Sequence, residues 1–305
     1  MISIIIPSYN RRAGMLALLG DIYQQKSVEF EVIVVDDCSP DDSVEAIRRE
    51  FPSVKLLVNP VNRGPAGTRN RGILAACGHW IVGFDSDVTL PDRLLLAKIE
   101  RHSDQSGAAV DGLAFRIFRA DGTTEDEGRW WHPVPIADFA GHQFFTSYFS
   151  GTAYALKREA ITKAGLFPEL LYMHYEEVEL AWRILDRGGQ ILYSPDLTVV
   201  HHANPVSRRG EVEVFLKPRN QILLAISCLP LVEAFLFIIP RTSFQLLKAC
   251  AGGHFLEFLM AIRSACSLAP RQMALRKPLR RTTLARMKAL KTSAALHPPL
   301  RKKNG

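Results

Sequence analysis

Two carboxylates, Asp85 and Asp87, stand two residues apart directly after the apolar run Trp80–Phe84. That run has strand character, and Pro91 opens a helical stretch just beyond it. Acidic side chains at the carboxyl end of a buried strand lie where open α/β sheets bind ligands. Their hard oxygens suit Mg2+ or Mn2+ held between the protein and a phosphate-bearing substrate. The plain alternative is a solvated Asp-Ser-Asp turn, so the reading depends on what else converges on the same place.

Three other segments sit at strand or helix ends that one crevice can collect: Pro7-Ser8-Tyr9-Asn10, Asp36-Asp37-Cys38-Ser39 and Asn62 to Asn70. A carboxylate such as Asp37 can accept from a base N–H, and Arg63, Arg69 and Arg71 can offset phosphate charge. No GxGxxG follows the first strand, which weakens a dinucleotide dehydrogenase reading. Further on, Glu176, Glu177 and Glu179 open a helix. Taken alone they are a charged first turn favoured by the positive amino end, with Arg183 paired to Glu179 across one turn.

The elements that must position these groups alternate. Strands are expected at 2–7, 31–35, 53–58, 79–84 and 108–118, with helices at 12–25, 41–50, 65–76 and 91–102 between them. Such alternation implies βαβ units and a mostly parallel sheet covered on both faces. Residues 128–149 read as an aromatic loop, structural or a rim on which sugar or lipid stacks, with Trp130 and Trp131 the candidates. A helix pattern returns at 172–187, followed by short strands at 191–193 and 197–201.

In this order and spacing the motifs Ser3 to Asn10, Val34 to Ser39, Asn62 to Asn70, Phe84 to Asp87, Ser150 to Lys157, Ala164 to Glu169 and Tyr175 to Arg183 resemble the family-2 glycosyltransferases, of a rhamnosyltransferase-like kind. The resemblance implies an α/β GT-A fold, a mostly parallel Rossmann-like sheet with flanking helices, covering 1–215. Residues 1–105 would bind nucleotide and 106–215 the acceptor. A helical, membrane-associating region would follow at 216–270, and a basic tail at 271–305. It also implies a nucleotide-diphosphate sugar (UDP-, dTDP- or GDP-linked), a divalent metal and a glycan or lipid-linked acceptor. Position by position, Pro7, Tyr9, Asn10, Asn62, Gly64 and Arg69 would line the donor site. Asp37 would hold the base, with Asp36 in support. Asp85 would meet ribose or diphosphate, and Asp87, Asp85 and His201 the metal. Gly151 and Thr152 would face the acceptor. Glu177, or its neighbour Glu176, falls where the family places the base of a single inverting displacement. Here Glu-Glu-Val-Glu replaces the family's commoner Glu-Asp-x-Asp.

Charge is distributed unevenly. Twelve of the 38 basic residues lie beyond Glu257, the last acidic residue, so residues 1–257 carry 26 basic against 31 acidic groups, a net −5. A basic tail of this kind points to an anionic partner. No uncharged run in 220–262 reaches the roughly 18 residues of a simple spanning helix. A buried helical pair, or helices in the interface plane of an anionic membrane, is expected instead. The first residues read as a strand rather than a secretory leader, and five scattered cysteines without CxxC fit a reducing cytosol. The expected location is therefore the cytosolic face of the membrane. Two rivals are a sugar nucleotidyltransferase and a nucleic-acid-binding protein. The first lacks a Gly-rich phosphate loop here. The second lacks aromatics interleaved with the basic tail, so no nucleic-acid partner is expected.

Overall fold

The computed structural model describes residues 1–105, 110–202 and 210–291. The elements run β1 (Ile2–Ser8), α1 (Arg12–Tyr23), β2 (Phe30–Asp36), α2 (Ser43–Glu50), β3 (Lys55–Val58), α3 (Gly64–Ala75), β4 (Trp80–Phe84), β5 (Val88–Thr89), α4 (Leu95–Gln105) and β6 (Gly112–Phe118). They continue with α5 (Ile136–Phe139), β7 (Phe144–Thr146), β8 (Ala153–Lys157), α6 (Arg158–Ala164), α7 (Glu176–Asp186), β9 (Ile191–His201), α8 (Gly210–Cys228), α9 (Leu231–Ala251), α10 (Phe255–Leu275) and α11 (Arg281–Ala289).

Among the described residues the strands form one sheet in the order β3-β2-β1-β4-β8-β6-β9-β5, with β7 added beside β9. The β-branched runs of β1, β2 and β4 are buried on both faces, and β3-β2-β1-β4 pair in parallel. The expected parallel block therefore stops at β4. β8 enters antiparallel to both β4 and β6, while β6 and β9 pair in parallel again. α1 lays Met15, Leu18, Leu19 and Ile22 against one face of the sheet, one stripe at helical spacing.

Two strands expected at 191–193 and 197–201 are one strand. Its register against β6 jumps between Phe115 and Arg116, skipping Pro195 to Leu197. Proline cannot donate to the ladder and is tolerated at such an irregularity. The helix expected from Tyr172 begins only at Glu176, because Tyr172, His174 and Tyr175 all adopt positive φ. Such backbone is costly for non-glycine residues and persists when its surroundings over-determine it. Here Asn220 of α8, fully buried, donates from Nδ2 to the carbonyls of Leu171, Met173 and His174 at 2.7, 2.8 and 3.0 Å.

Residues 271–291, expected in the basic tail, finish α10 and form α11. Asp186 at the end of α7 accepts from Arg280 N (2.8 Å) and Thr283 Oγ1 (2.7 Å), which fixes the start of α11. The rest of that tail, 292–305, lies outside the described residues.

Replacing Asn220 by Ala strands three carbonyls behind the turn into α7. We expect a loss of about 3 kcal/mol of unfolding free energy, read by urea denaturation; an unchanged midpoint would show that the turn holds itself.

Candidate active site

The carboxyl ends of β1, β2 and β4 share one edge. Ser8 is the register partner of Asp36, and Asp37 N donates to Ser8 O at 2.8 Å. One residue past β4, Asp85 N donates to Thr152 O at 2.9 Å, and His202 N donates to Asp87 O at 2.8 Å. The loops after β1, β2 and β4 are thereby sewn to the start of β8 and the end of β9, so one crevice forms along the edge.

Arg69 of α3 lies under its floor. Its guanidinium is buried and gives Nη1 to Glu176 Oε1 (2.9 Å) and Nη2 to Asp85 Oδ1 (2.8 Å) and Gly151 O (3.1 Å). Burial alone would lower its pKa, but Asp85 and Glu176 more than reverse that and raise it. The cation is thus permanently charged and bidentate, which a lysine could not reproduce. Sequence reading gave Arg69 to a phosphate. The structure instead makes it the clamp between two acidic loops. Arg63 and Arg71 are likewise engaged, with Glu169 (2.6 Å) and with Val58 O and Asn59 Oδ1 (both 2.6 Å).

Glu176 and Glu177 open α7 beside this clamp. Glu176 is buried, and its Oε2 and the Oε2 of Glu177 are both buried without a hydrogen-bond partner. Burial first, then the adjacent Glu177 carboxylate, push Glu176 well above the usual carboxylate range, with Arg69 opposing. Two like charges side by side in a buried site raise the cost of ionising Glu176. Gly151 lets the group close up. A Cβ there would stand 2.8 Å from Arg69 Nη2 and 3.1 Å from Glu177 Oε1. Gly151 and Thr152, expected on the acceptor wall, therefore act beneath the acids: Thr152 is buried and holds the Asp85 loop by its carbonyl.

On the other side, Asp37 is fully engaged. Oδ1 accepts from Asn59 Nδ2 (2.7 Å) and Arg63 N (2.9 Å), and Oδ2 from Gly64 N (2.8 Å). It caps the amino end of α3 from a distance, which explains why that helix has no cap of its own. These bonds hold Asp37 against the start of α3, whose Gly64 N–H is thereby already taken. Asp36 fits a donor N–H better: Oδ1 accepts from Ser39 N (2.9 Å) while Oδ2 is buried and unpartnered, as is the neighbouring Ser8 Oγ. Gly64 has φ +70°, and a Cβ there would strike the Tyr172 ring at 2.4 Å. Tyr172, whose hydroxyl donates to Asn62 Oδ1 at 2.7 Å, closes the same wall. Tyr9 is exposed at the mouth, Asn10 (φ +52°) donates its N–H to Ser39 Oγ, and Pro7 sits in β1 past its last pairing with β4.

Asp87 and His201 face each other, Oδ1 to Nε2, at 3.7 Å. His201 Nδ1 is 2.7 Å from Asp126 Oδ2, which orients the ring, and Nε2 also lies 3.4 Å from Arg129 Nη2. Burial, then Asp85, raise the Asp87 pKa, against His201, Arg11 and Arg129. An acid and an imidazole held this way fit a divalent cation completed by phosphate oxygens and water. Asp85 does not complete the expected trio: its carboxylate is turned to Arg69, and among the described residues no cluster of three His, Cys, Asp or Glu forms.

Trp130 is corrected too. Its Nε1 donates to Val134 O (2.7 Å) and its ring packs on His132, Phe144 and Tyr193. Trp131 alone stays on the rim, edge-on to Tyr175 at 5.1 Å. Sequence reading missed Asp126, Arg129 and Tyr172, and also His174, whose Nε2 is buried and unpartnered near Glu177. Only their place in the fold marks them; Asp-x-x-Arg at 126–129 carries no signal by itself.

The model of glycosyl transferase family 2 matches residues 3–164, just over half of the chain. The chain belongs to glycosyltransferase family 2. It is 41% identical over 129 residues to the succinoglycan biosynthesis protein ExoO of Rhizobium meliloti, covering 38% of this chain and 36% of that one. It is 24% identical over 178 residues to a GalNAc(5)-diNAcBac-PP-undecaprenol beta-1,3-glucosyltransferase of Campylobacter jejuni, covering 56% of each. The chain thus spans between about a third and just over half the length of these relatives. In fold it is similar to the mannosyltransferase PcManGT of Pyrobaculum calidifontis, solved with GDP-Man and Mn2+: TM-score 0.58, 19% identity, 95% of this chain and 86% of that one. The family match ends at Ala164, before Glu176, Glu177 and His201, so those positions rest on the geometry described above.

In this family-2 chain, Gly151→Ala is expected to cost about 1–3 kcal/mol by overpacking and to lower turnover at least ~10-fold by displacing Glu177. Gly20→Ala in α1, where a Cβ meets nothing within 4 Å, should instead stabilise by about 0.5–1 kcal/mol. Equal effects of the two in thermal melts and nucleotide-release assays would refute the cradle.

Proposed function

We propose that this chain is an inverting glycosyltransferase that moves a sugar from a nucleoside-diphosphate donor to an acceptor hydroxyl. The strongest support is the Arg69 clamp, which brings Asp85 and the Glu176–Glu177 pair to the same crevice edge as Asp87 and His201. This reading needs a proton acceptor at one end of the site and a metal-binding pair at the other, and Glu177 and the Asp87–His201 pair are the candidates.

In this reading Asp36 and the wall of Asn62, Gly64 and Tyr172 hold the nucleoside, with Tyr9 at the mouth. Arg11 and Arg129, which bracket Asp87 electrostatically, offset the diphosphate. Asp87 and His201 would hold Mn2+ or Mg2+, whose chemistry there is to neutralise charge on the departing diphosphate. Glu177 accepts the proton of the acceptor hydroxyl as that oxygen bonds the anomeric carbon and the bond to the diphosphate oxygen breaks. One base opposite the leaving group gives inversion. Glu176, held on the clamp by Arg69, fixes the start of α7 and so orients Glu177. Trp131 stands where an acceptor ring would stack. The rhamnosyltransferase-like motif pattern keeps dTDP-sugars among the donors, beside UDP- and GDP-sugars. The lipid-linked substrate in the name of the Campylobacter relative makes a lipid-linked glycan the acceptor class of choice.

Glu177→Gln should leave donor binding intact and cut transfer by about 100-fold or more. A screen of UDP-, dTDP- and GDP-sugars by thermal shift, with and without Mn2+, finds the donor through the stabilisation that binding confers. Asp87→Ala should remove the metal-dependent part of that shift. Release of pyrophosphate rather than nucleoside diphosphate would make the chain a nucleotidyltransferase, and normal turnover by Glu177→Gln would put the base elsewhere.

A further inference from the structure

α9 and α10 pack on α8 largely through small residues and leave many of their large apolar side chains exposed. Facing inward are Ala234 and Ala249 of α9, and Phe258, Ala261 and Ala265 of α10. Facing outward along α9 are Leu231, Val232, Phe235, Leu236, Ile239, Phe244 and Leu247, with Leu236 69% and Leu247 68% exposed. They form one stripe some 24 Å long at the rise of an α-helix. Leu256 and Met260, 70% and 61% exposed, extend it onto α10. A soluble helix has the reverse pattern, and an apolar surface of this extent marks a site of contact.

The charges around the stripe identify what it meets. From Leu231 to Lys291 the chain has eleven Lys or Arg and two acids, Glu233 and Glu257. Arg241 and Lys248 are exposed on the same helix, the first lying over the Phe237 ring at 3.8 Å and the second 5.8 Å from the Phe244 ring. Cations whose stems run along apolar side chains suit a boundary between hydrocarbon and anionic headgroups. By length and mean hydropathy α9 could also cross a membrane. Its other face argues against that. Ala234 belongs to the core between α7 and α8, and Phe237 meets the Trp182 ring edge-on at 6.1 Å. One side of α9 is thus committed to protein along the first half of the helix.

We propose that α9 and α10 form a docking face that lies flat on an anionic membrane, with the stripe in the hydrocarbon boundary and Arg241, Lys248, Arg263 and Arg271 among the headgroups. The face leads to the crevice. An apolar cleft of about 280 Å3, lined by Tyr172, Val212, Phe215, Leu216, Glu257 and Met260, joins exposed Met260 to Tyr172 on the donor wall.

The test is vesicle co-sedimentation of the full chain, with neutral phosphatidylcholine vesicles and with vesicles containing phosphatidylglycerol. Binding should favour the anionic vesicles, weaken with salt, and fall at least tenfold for the double variant Phe235→Ser, Leu236→Ser. Arg241→Gln should cost about fivefold on the anionic vesicles alone. Melting curves confirm that these exposed changes leave the fold intact. Protein that stays in the supernatant with both vesicles, or serine variants that bind as well as wild type, overturns the proposal. So does a dimer in size-exclusion chromatography that the serine variants dissociate, since a second copy then covers the stripe. Material that resists alkaline carbonate extraction from native membranes overturns it in favour of a spanning α9.

Discussion

A single buried guanidinium holds the crevice together. Arg69 is separated from Glu176 by 107 residues and from Asp85 by 16, and its two nitrogens are what bring those loops into contact. Arg69 and Glu176 are both removed from water, while Asp85 stays partly exposed, so the buried cation and the buried acid depend on one another most. Removing one member of such a group leaves an uncompensated buried charge, typically worth several kcal/mol. The same desolvation that makes the clamp costly also raises the Glu176 pKa, with the neighbouring Glu177 adding to it. Structure and candidate chemistry therefore share one electrostatic cause.

The clamp works only because the backbone around it is forced into narrow shapes. Gly151 admits Arg69 and Glu177 to distances that a methyl group would block, and Gly64 lies under the Tyr172 ring for the same reason. The turn from Tyr172 to Tyr175 runs through left-handed backbone before α7 starts, and Asn220 fastens its carbonyls from behind. α8 is thus more than a cover. It supports the turn that aims the acids on one side and carries α9 and α10 on the other, so the site and the exposed apolar face hang on the same helix.

Much was legible beforehand, and the particular residues show why. Trp80–Phe84 followed by Asp85 and Asp87 announces a buried strand ending in acids because both signals are local. The α1 stripe of Met15, Leu18, Leu19 and Ile22 is equally local. Arg69, Asp37 and Trp130 belong to this region by sequence, and the fold gives them protein partners: two acids, the start of α3 and Val134 O. A charged or aromatic side chain shows its chemistry in the sequence, whereas its partner depends on loops that meet only in the folded chain. Asp126 and His174 carried no local pattern and were found only by their position.

From the amino-acid order alone follow the family, the alternation of strand and helix, the set of acids near the crevice and the excess of positive charge beyond Glu257. Periodicity, residue type and net charge depend on neighbours a few positions apart, so they survive without coordinates. The tertiary structure alone decided that Asp37 caps α3, that Arg69 bridges Asp85 to Glu176, that His201 is set by Asp126, and that α9 turns its large side chains to solvent. Each of those depends on the burial and distance of groups tens of residues apart, which come into being only when the chain packs.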